Sequence, residues 1–227
     1  MTDRARWSQR ELAYEFSDPS LLEQALTHRS ASKDNNERLE FLGDAMLGLV
    51  IAKTLYRLRS DANEGDLSRA RAALVKKETL AGVGRRIGID QQLVLGSGEL
   101  RTGGAQRLSA LADTVEAVIG AVVLDGGYEA GEQLIARLFA GPLAALPDSE
   151  SLKDPKTRLQ EWLQARGLGL PDYSVDDVSG SDHNQHFAVI CRIDAKSKVS
   201  TGRGSSRRRA EQAAAEAMLI ELQSGDG

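Results

Sequence analysis

The chain has 227 residues, 41% of them hydrophobic and 27% charged, which allows one large domain or a large and a small one. The single cysteine, Cys191, excludes an intramolecular disulfide framework and a cysteine-ligated zinc cluster, and it fits a reducing cytosol. The net charge is −4, with 18 basic and 22 acidic residues before position 151 and 11 of each from there on, so any phosphate-binding surface has to be a local cluster.

The N-terminus, Met1 to Glu15, carries Asp3, Arg4, Arg6, Arg10 and Glu11 and has no apolar core of a signal peptide. No run approaches the ~20 apolar residues of a membrane span, so a cytoplasmic protein with no membrane partner is expected. Glu11–Phe16 and Pro19–Leu26 read as short helices, the second opened by Asp18 before Pro19. Thr27-His28-Arg29-Ser30 and a polar loop, Ala31–Asn35, follow. With no second histidine or cysteine nearby, His28 reads as a structural or hydrogen-bonding residue rather than a catalytic one.

Asn36–Met46, N-E-R-L-E-F-L-G-D-A-M, opens a proline-free helix that runs to about Tyr56. At about 100° per residue, Glu37, Glu40 and Asp44 share an arc of about 60°. Leu39, Leu42, Met46, Leu49 and Val50 cluster opposite, while Phe41, Leu47, Gly48 and Ile51 lie on or beside the acidic face. A helix apolar on nearly all sides is expected to be buried. Acids on it would repel one another unless a cation or a basic partner offset them.

Ser60–Ser68 reads as a loop leading into a helix over Leu67–Lys77, with Glu64 or Asp66 as the capping acid. Glu78–Ile87 continues helical to Gly88, and Gln91–Gly104 reads as a glycine-rich loop. Gly96-Ser97-Gly98-Glu99 lacks the G-x-x-x-x-G-K-[ST] pattern, so no nucleotide cofactor is expected. Neither a G-x-S-x-G elbow nor an H-E-x-x-H motif occurs. In Leu108–Leu124, Asp113 and Glu116 are spaced i, i+3 on one helix face, and the run Ala117–Leu124 behind them is apolar apart from Gly120. Tyr128–Leu138 makes another helix. Ala140–Ser151, with Gly141, Pro142 and Pro147, reads as a linker.

The pattern then changes. Asp154-Pro155 starts a helix to Ala165, the segments Asp172–Val178, His186–Ile193 and Lys198–Gly202 alternate like strands, and Ser206–Leu222 is an alanine-rich helix. The expected fold is therefore an all-α domain over residues 1–145, a linker over 146–152, and a small α+β domain of order α-β-β-β-α over 153–223.

The Asn36–Met46 stretch resembles the signature of bacterial ribonuclease III, the double-stranded-RNA endonuclease family. T-H-R-S before it, E-G-D-L-S-R-A-R-A at Glu64–Ala72 and A-D-T-V-E-A at Ala112–Ala117 are similar to further family segments. P-K-T-R-L-Q-E-W, G-S-D-H-N-Q-H-F and G-x-G-S-S-R-R-R-A in the last 75 or so residues resemble a double-stranded-RNA-binding domain. The resemblance implies an endoribonuclease that hydrolyses duplex RNA to 5′-phosphate and 3′-hydroxyl ends, in processing of ribosomal, messenger and transfer RNA. It implies Glu40, Asp113 and Glu116 as metal ligands, Asp44 and Glu116 as the residues closest to catalysis, and Glu37 and Glu64 as secondary acids positioning RNA or water. All-oxygen ligation favours Mg²⁺, with Mn²⁺ as a substitute, and one or two such ions serve phosphoryl chemistry. It further implies a homodimer with Phe41 plugging a pocket on the second copy. A-form RNA presents its wide minor groove to a shape reader. The resemblance assigns that contact to Thr157, Gln160 and Glu161 and a second one to His183, while Arg207 and Arg208 at a helix start suit phosphates. Glu211 departs from the pattern, standing where many such domains carry lysine. Two other readings are a duplex-RNA-binding protein without cleavage, and a hydrolase of small phosphate esters. The intact acid set speaks against the first and the C-terminal domain against the second.

Overall fold

The computed structural model describes residues 2–181, 185–194 and 197–225. The chain separates into two units, Met1–Ser149 and Glu150–Gly227. The first is helical throughout: α1 (Asp3–Trp7), a π-helical turn (Ser8–Leu12), α2 (Pro19–Ala25), α3 (Glu37–Leu58), α4 (Glu64–Val75), α5 (Lys77–Arg86), α6 (Ser97–Arg101) and α7 (Leu108–Ala144), with single 3₁₀ turns at Ile89–Gln91 and Gly104–Gln106. α7 bends at Gly127, whose backbone leaves the helical region (φ 78°), so the expected break between two helical segments is present within it.

The core is built on the pairing of α3 with α7, against which α2, α4 and α5 pack. Leu39, Met46, Leu47, Val50, Ile51 and Leu55 of α3 and the continuous run Ala117–Val122 of α7 are buried. Two glycines let these helices touch backbone to backbone. A Cβ on Gly43 would lie 1.7 Å from the Glu116 carbonyl oxygen, and one on Gly120 would lie 2.1 Å from that of Leu39.

Several sequence expectations need correction. α3 is not buried all round: α7 and α4 cover one arc, and Phe41 (80% exposed), Leu49, Tyr56 and Leu58 lie in the open. Glu11–Phe16 is not a helix, because the π turn ends at Leu12 and Ala13 takes a left-handed conformation. α4 starts at Glu64, three residues early, because Asn63 accepts from the Asp66 N–H and caps it in place of either acid. Within the expected loop 91–104, Ser97–Arg101 forms a helical turn, steadied where Gly96 N–H donates to Ser30 Oγ at 3.0 Å. α7 continues through Pro142 to Ala144, so the start of the expected linker is helical.

The second unit has the order α8 (Pro155–Gln164), β1 (Asp172–Ser179), β2 (His186–Ile193), β3 (Lys198–Gly204), α9 (Arg207–Gly225). Its sheet is antiparallel in the order β1-β2-β3, with an irregularity in register between Val175 and Asp177. Leu159 and Leu163 of α8, Cys191 and Ile193 of β2, and Ala214, Ala215, Met218, Leu219 and Leu222 of α9 make its core. The small face of α9 allows a close approach to β3, where a Cβ on Gly202 would meet Ala214 N at 2.1 Å. That approach fixes the N-terminal turn of α9, and the arginines on it, against the sheet.

Candidate active site and RNA-facing surface

Five of the six candidate acids, Glu37, Glu40, Asp44, Asp113 and Glu116, lie on the two helices of the α3–α7 crossing. Glu40 precedes Gly43 by three residues, and Glu116 precedes Gly120 by four. Backbone contact at the two glycines draws these turns together from elements more than 70 residues apart in sequence. Carboxylate oxygens of Glu40, Asp113 and Glu116 then lie within 4.8 Å of one another, the one such group of potential metal ligands among the described residues. All three side chains are partly buried.

Their electrostatics follow from that closeness. Burial, and then the charges of Asp44, Glu40 and Asp113, push the Glu116 carboxyl up to about 8. Glu40 is raised by burial and by Asp113 and Glu37, and Asp113 by burial. The cluster thus holds more negative charge than it can keep ionised alone. A hard divalent cation fits this donor set: it takes carboxylate oxygens and removes the mutual repulsion.

Asp44 is exposed one turn beyond Glu40 and is close enough to act on Glu116. Glu37 opens α3 and pairs with Arg29 at 3.3 Å. Glu64 accepts from Ser68 Oγ at 2.8 Å and stands outside the three-carboxylate group. His28 bonds locally, Nδ1 to Ser30 Oγ at 2.8 Å, as its sequence context suggested. Lys77 belongs to no motif of the acid set, yet it stands at the site. It lines a cavity of about 670 Å³ together with Glu40 and Asp113, and its charge bears on all three clustered acids. A lysine at the first position of α5, a helix end that disfavours cations, was the available signal.

In the second unit Thr157, Gln160 and Glu161 share the exposed side of α8, opposite buried Leu159 and Leu163. Glu161 is bonded to Lys153. Arg207 and Arg208 are 63% and 82% exposed in the first turn of α9. His183 lies outside the described residues.

An all-helical unit with clustered acids is followed by an α-β-β-β-α unit, and comparison with known proteins identifies this pairing as that of a two-domain nuclease. Residues 18–143 match the Ribonuclease-III-like family model, and residues 155–222 match the double-stranded RNA binding motif. Curated relatives named Ribonuclease 3 include those of Nitrosococcus oceani, 53% identical over 98% of this chain and 96% of theirs, and of Vibrio vulnificus, 52% identical over 95% and 96%. A solved nuclease domain of ribonuclease III from Campylobacter jejuni superposes with a TM-score of 0.61 at 37% identity, covering 64% of this chain and all of that one. A second structure of that domain, described for flexibility in a region involved in dimer formation, gives 0.57 at 41% identity over 58% and 93%. The chain belongs to the ribonuclease III family.

Proposed function

We propose that this endoribonuclease of double-stranded RNA hydrolyses phosphodiesters at the Glu40–Asp113–Glu116 cluster and leaves 5′-phosphate and 3′-hydroxyl ends. The observation that carries the reading is the convergence of three carboxylates from two helices within 4.8 Å. Family membership supplies metal dependence, and the all-oxygen donor set favours Mg²⁺ or Mn²⁺ over zinc, with Mg²⁺ taken as the working ion and Mn²⁺ as its substitute. Glu40, Asp113 and Glu116 hold the ion, which supplies Lewis-acid activation and charge neutralisation at phosphorus. Asp44, beside Glu116, orients the attacking water, and Glu37 and Glu64 position RNA or water from the rim. Residues 1–145 form the catalytic domain, 146–152 the linker and 153–223 the duplex reader. In the reader Thr157, Gln160, Glu161 and His183 face minor grooves, and Arg207 and Arg208 take phosphates.

The active form is a homodimer, with Phe41 as anchor. No helix among the described residues is long and apolar enough to cross a membrane. The proposed setting is cytoplasmic processing of ribosomal RNA precursors, structured messenger RNA and transfer RNA. Incubating duplex RNA with and without Mg²⁺, and identifying the product ends, tests the chemistry. Undiminished cleavage in chelator would refute the metal assignment, and 2′,3′-cyclic phosphate ends would refute the hydrolytic one by showing the 2′-hydroxyl acting as nucleophile.

Two further results are expected. The Glu116 carboxyl is raised by burial and by its acidic neighbours from the ordinary 4.5 to about 8, so between those values the folded chain keeps a proton that the unfolded chain has lost. Stability in chelator therefore falls as pH rises through this window. Divalent-ion affinity rises with pH by up to about tenfold per unit below pH 8, since binding displaces that proton. Thermal melts with EDTA or Mg²⁺ across pH check both signs: the decline appears only with EDTA. Separately, Arg207→Ala with Arg208→Ala removes two phosphate contacts. The slope of log affinity against log salt then shrinks by roughly one to two units. An unchanged slope would mark the arginines as merely solvated.

A further inference from the structure

Glu211 is an acid set among the cations of the RNA-facing surface. Its side chain is only 13% exposed, and its two oxygens are divided between two partners. Oε2 accepts from Lys156 Nζ of α8 at 2.6 Å, and Oε1 accepts from Arg207 Nε of α9 at 2.9 Å. The Lys156 ammonium also sits 4.4 Å from the centre of the Tyr173 ring on β1. Lys156, ahead of Arg207, holds the Glu211 carboxyl below the usual carboxylate range even against its burial. The trio keeps a net charge of +1.

This geometry distinguishes two roles. An acid that competed with phosphate would cap the outward edge of the guanidinium. Glu211 instead takes Nε, and among the described residues Nη1 and Nη2 of Arg207 make no hydrogen bond. A largely covered carboxylate cannot readily swap places with a phosphate, but it can order two long side chains before RNA arrives. Lysine and arginine otherwise lose rotamer freedom on binding, and prior ordering reduces that cost.

We propose that Glu211 is a positioning residue for duplex RNA, its carboxylate aiming Lys156 and Arg207 at the phosphates instead of competing with them. This rests on the reading of the second unit as the duplex reader. The sign of its effect is opposite to the expectation from charge alone, since removing an acid adds net positive charge and by counterion release strengthens binding.

The test measures affinity of the full chain for an RNA duplex of about 16 base pairs, without divalent ions, across a salt series. Glu211→Ala is expected to bind roughly tenfold more weakly, the scale of one charge-assisted contact. Its salt slope should be shallower by about one. Glu211→Gln, which keeps one acceptor, should lose less. In a Lys156→Ala, Arg207→Ala background, Glu211→Ala should have almost no further effect. Equal or tighter binding by either variant, with an unchanged or steeper slope, overturns the proposal. So does a loss that persists in the doubly substituted background, which would mark a purely structural role. A thermal melt accompanies each variant, and if Glu211→Ala is unfolded then Glu211→Gln decides by the same criteria. If the wild type prefers duplex no more than single-stranded RNA of the same length, the duplex-reader reading itself fails, independently of any variant.

Discussion

Glu116→Gln is expected to lower the rate of duplex RNA cleavage by about 10²- to 10⁴-fold, the range given by several kcal/mol of lost charge stabilisation. The substitution keeps the size of the side chain and removes its charge at the position where three other carboxylates press on it. Glu40 and Asp113 remain, so a cation is still attracted, but with one anionic oxygen donor fewer. Duplex binding should persist, because the surface assigned to RNA belongs to the separate unit beginning at Glu150. Raising Mg²⁺ should recover part of the rate if ion affinity is what is lost. Wild-type cleavage by Glu116→Gln under limiting Mg²⁺ would remove Glu116 from the ligand set.

Phe41→Ala is expected to weaken self-association by roughly a thousandfold while leaving the fold intact. Phe41 is 80% exposed, so no pocket of its own chain covers it and its loss opens no cavity in the core. Beside it runs a cavity of about 560 Å³ lined by Gln24, Leu39, Leu42 and Leu124 among others, of a size to receive an aromatic ring. A twofold axis would use such a contact twice. Central aromatic anchors carry about 2 kcal/mol or more each, so two independent ones give ~4 kcal/mol, a factor of about a thousand. Sedimentation across a dilution series reads the constant directly, and double-strand cutting should fail at concentrations where the wild type is paired. A folded Phe41→Ala protein with an unchanged dimer constant would rule out the anchor.

Much of this was legible in the chain because it is local. The i, i+3 spacing of Asp113 and Glu116, the Asp18-Pro19 and Asp154-Pro155 helix starts and the alternation of β2 each depend on near neighbours, and each is present in the structure. The errors arose where tertiary contact decides. Helical periodicity identifies apolar residues around α3 but cannot say which arc α7 covers, so Leu49, on a helix expected to be buried, lies in the open. Asn63 outcompeted two acids as a cap because its carbonyl oxygen reaches the Asp66 N–H. The turn at Ser97–Arg101 is held by Ser30, 66 residues away from Gly96, a partner no local window contains. Lys77 is in the same case, since its meaning depends on acids from two other helices.

The contact between Gly43 and Gly120 bears on how this site tolerates change. Side chains around it can drift through substitution and repack, and a donor set held by side-chain packing would drift with them. Here the gap between Glu40 and the Asp113–Glu116 pair is gauged by main chain against main chain. A methyl group at either glycine would wedge the helices apart and widen the space between the carboxylates, even though neither position owns a donor atom. The spacing of the three carboxylates, and with it the size of cation the proposed site would accept, is thus written in two residues that carry no donor.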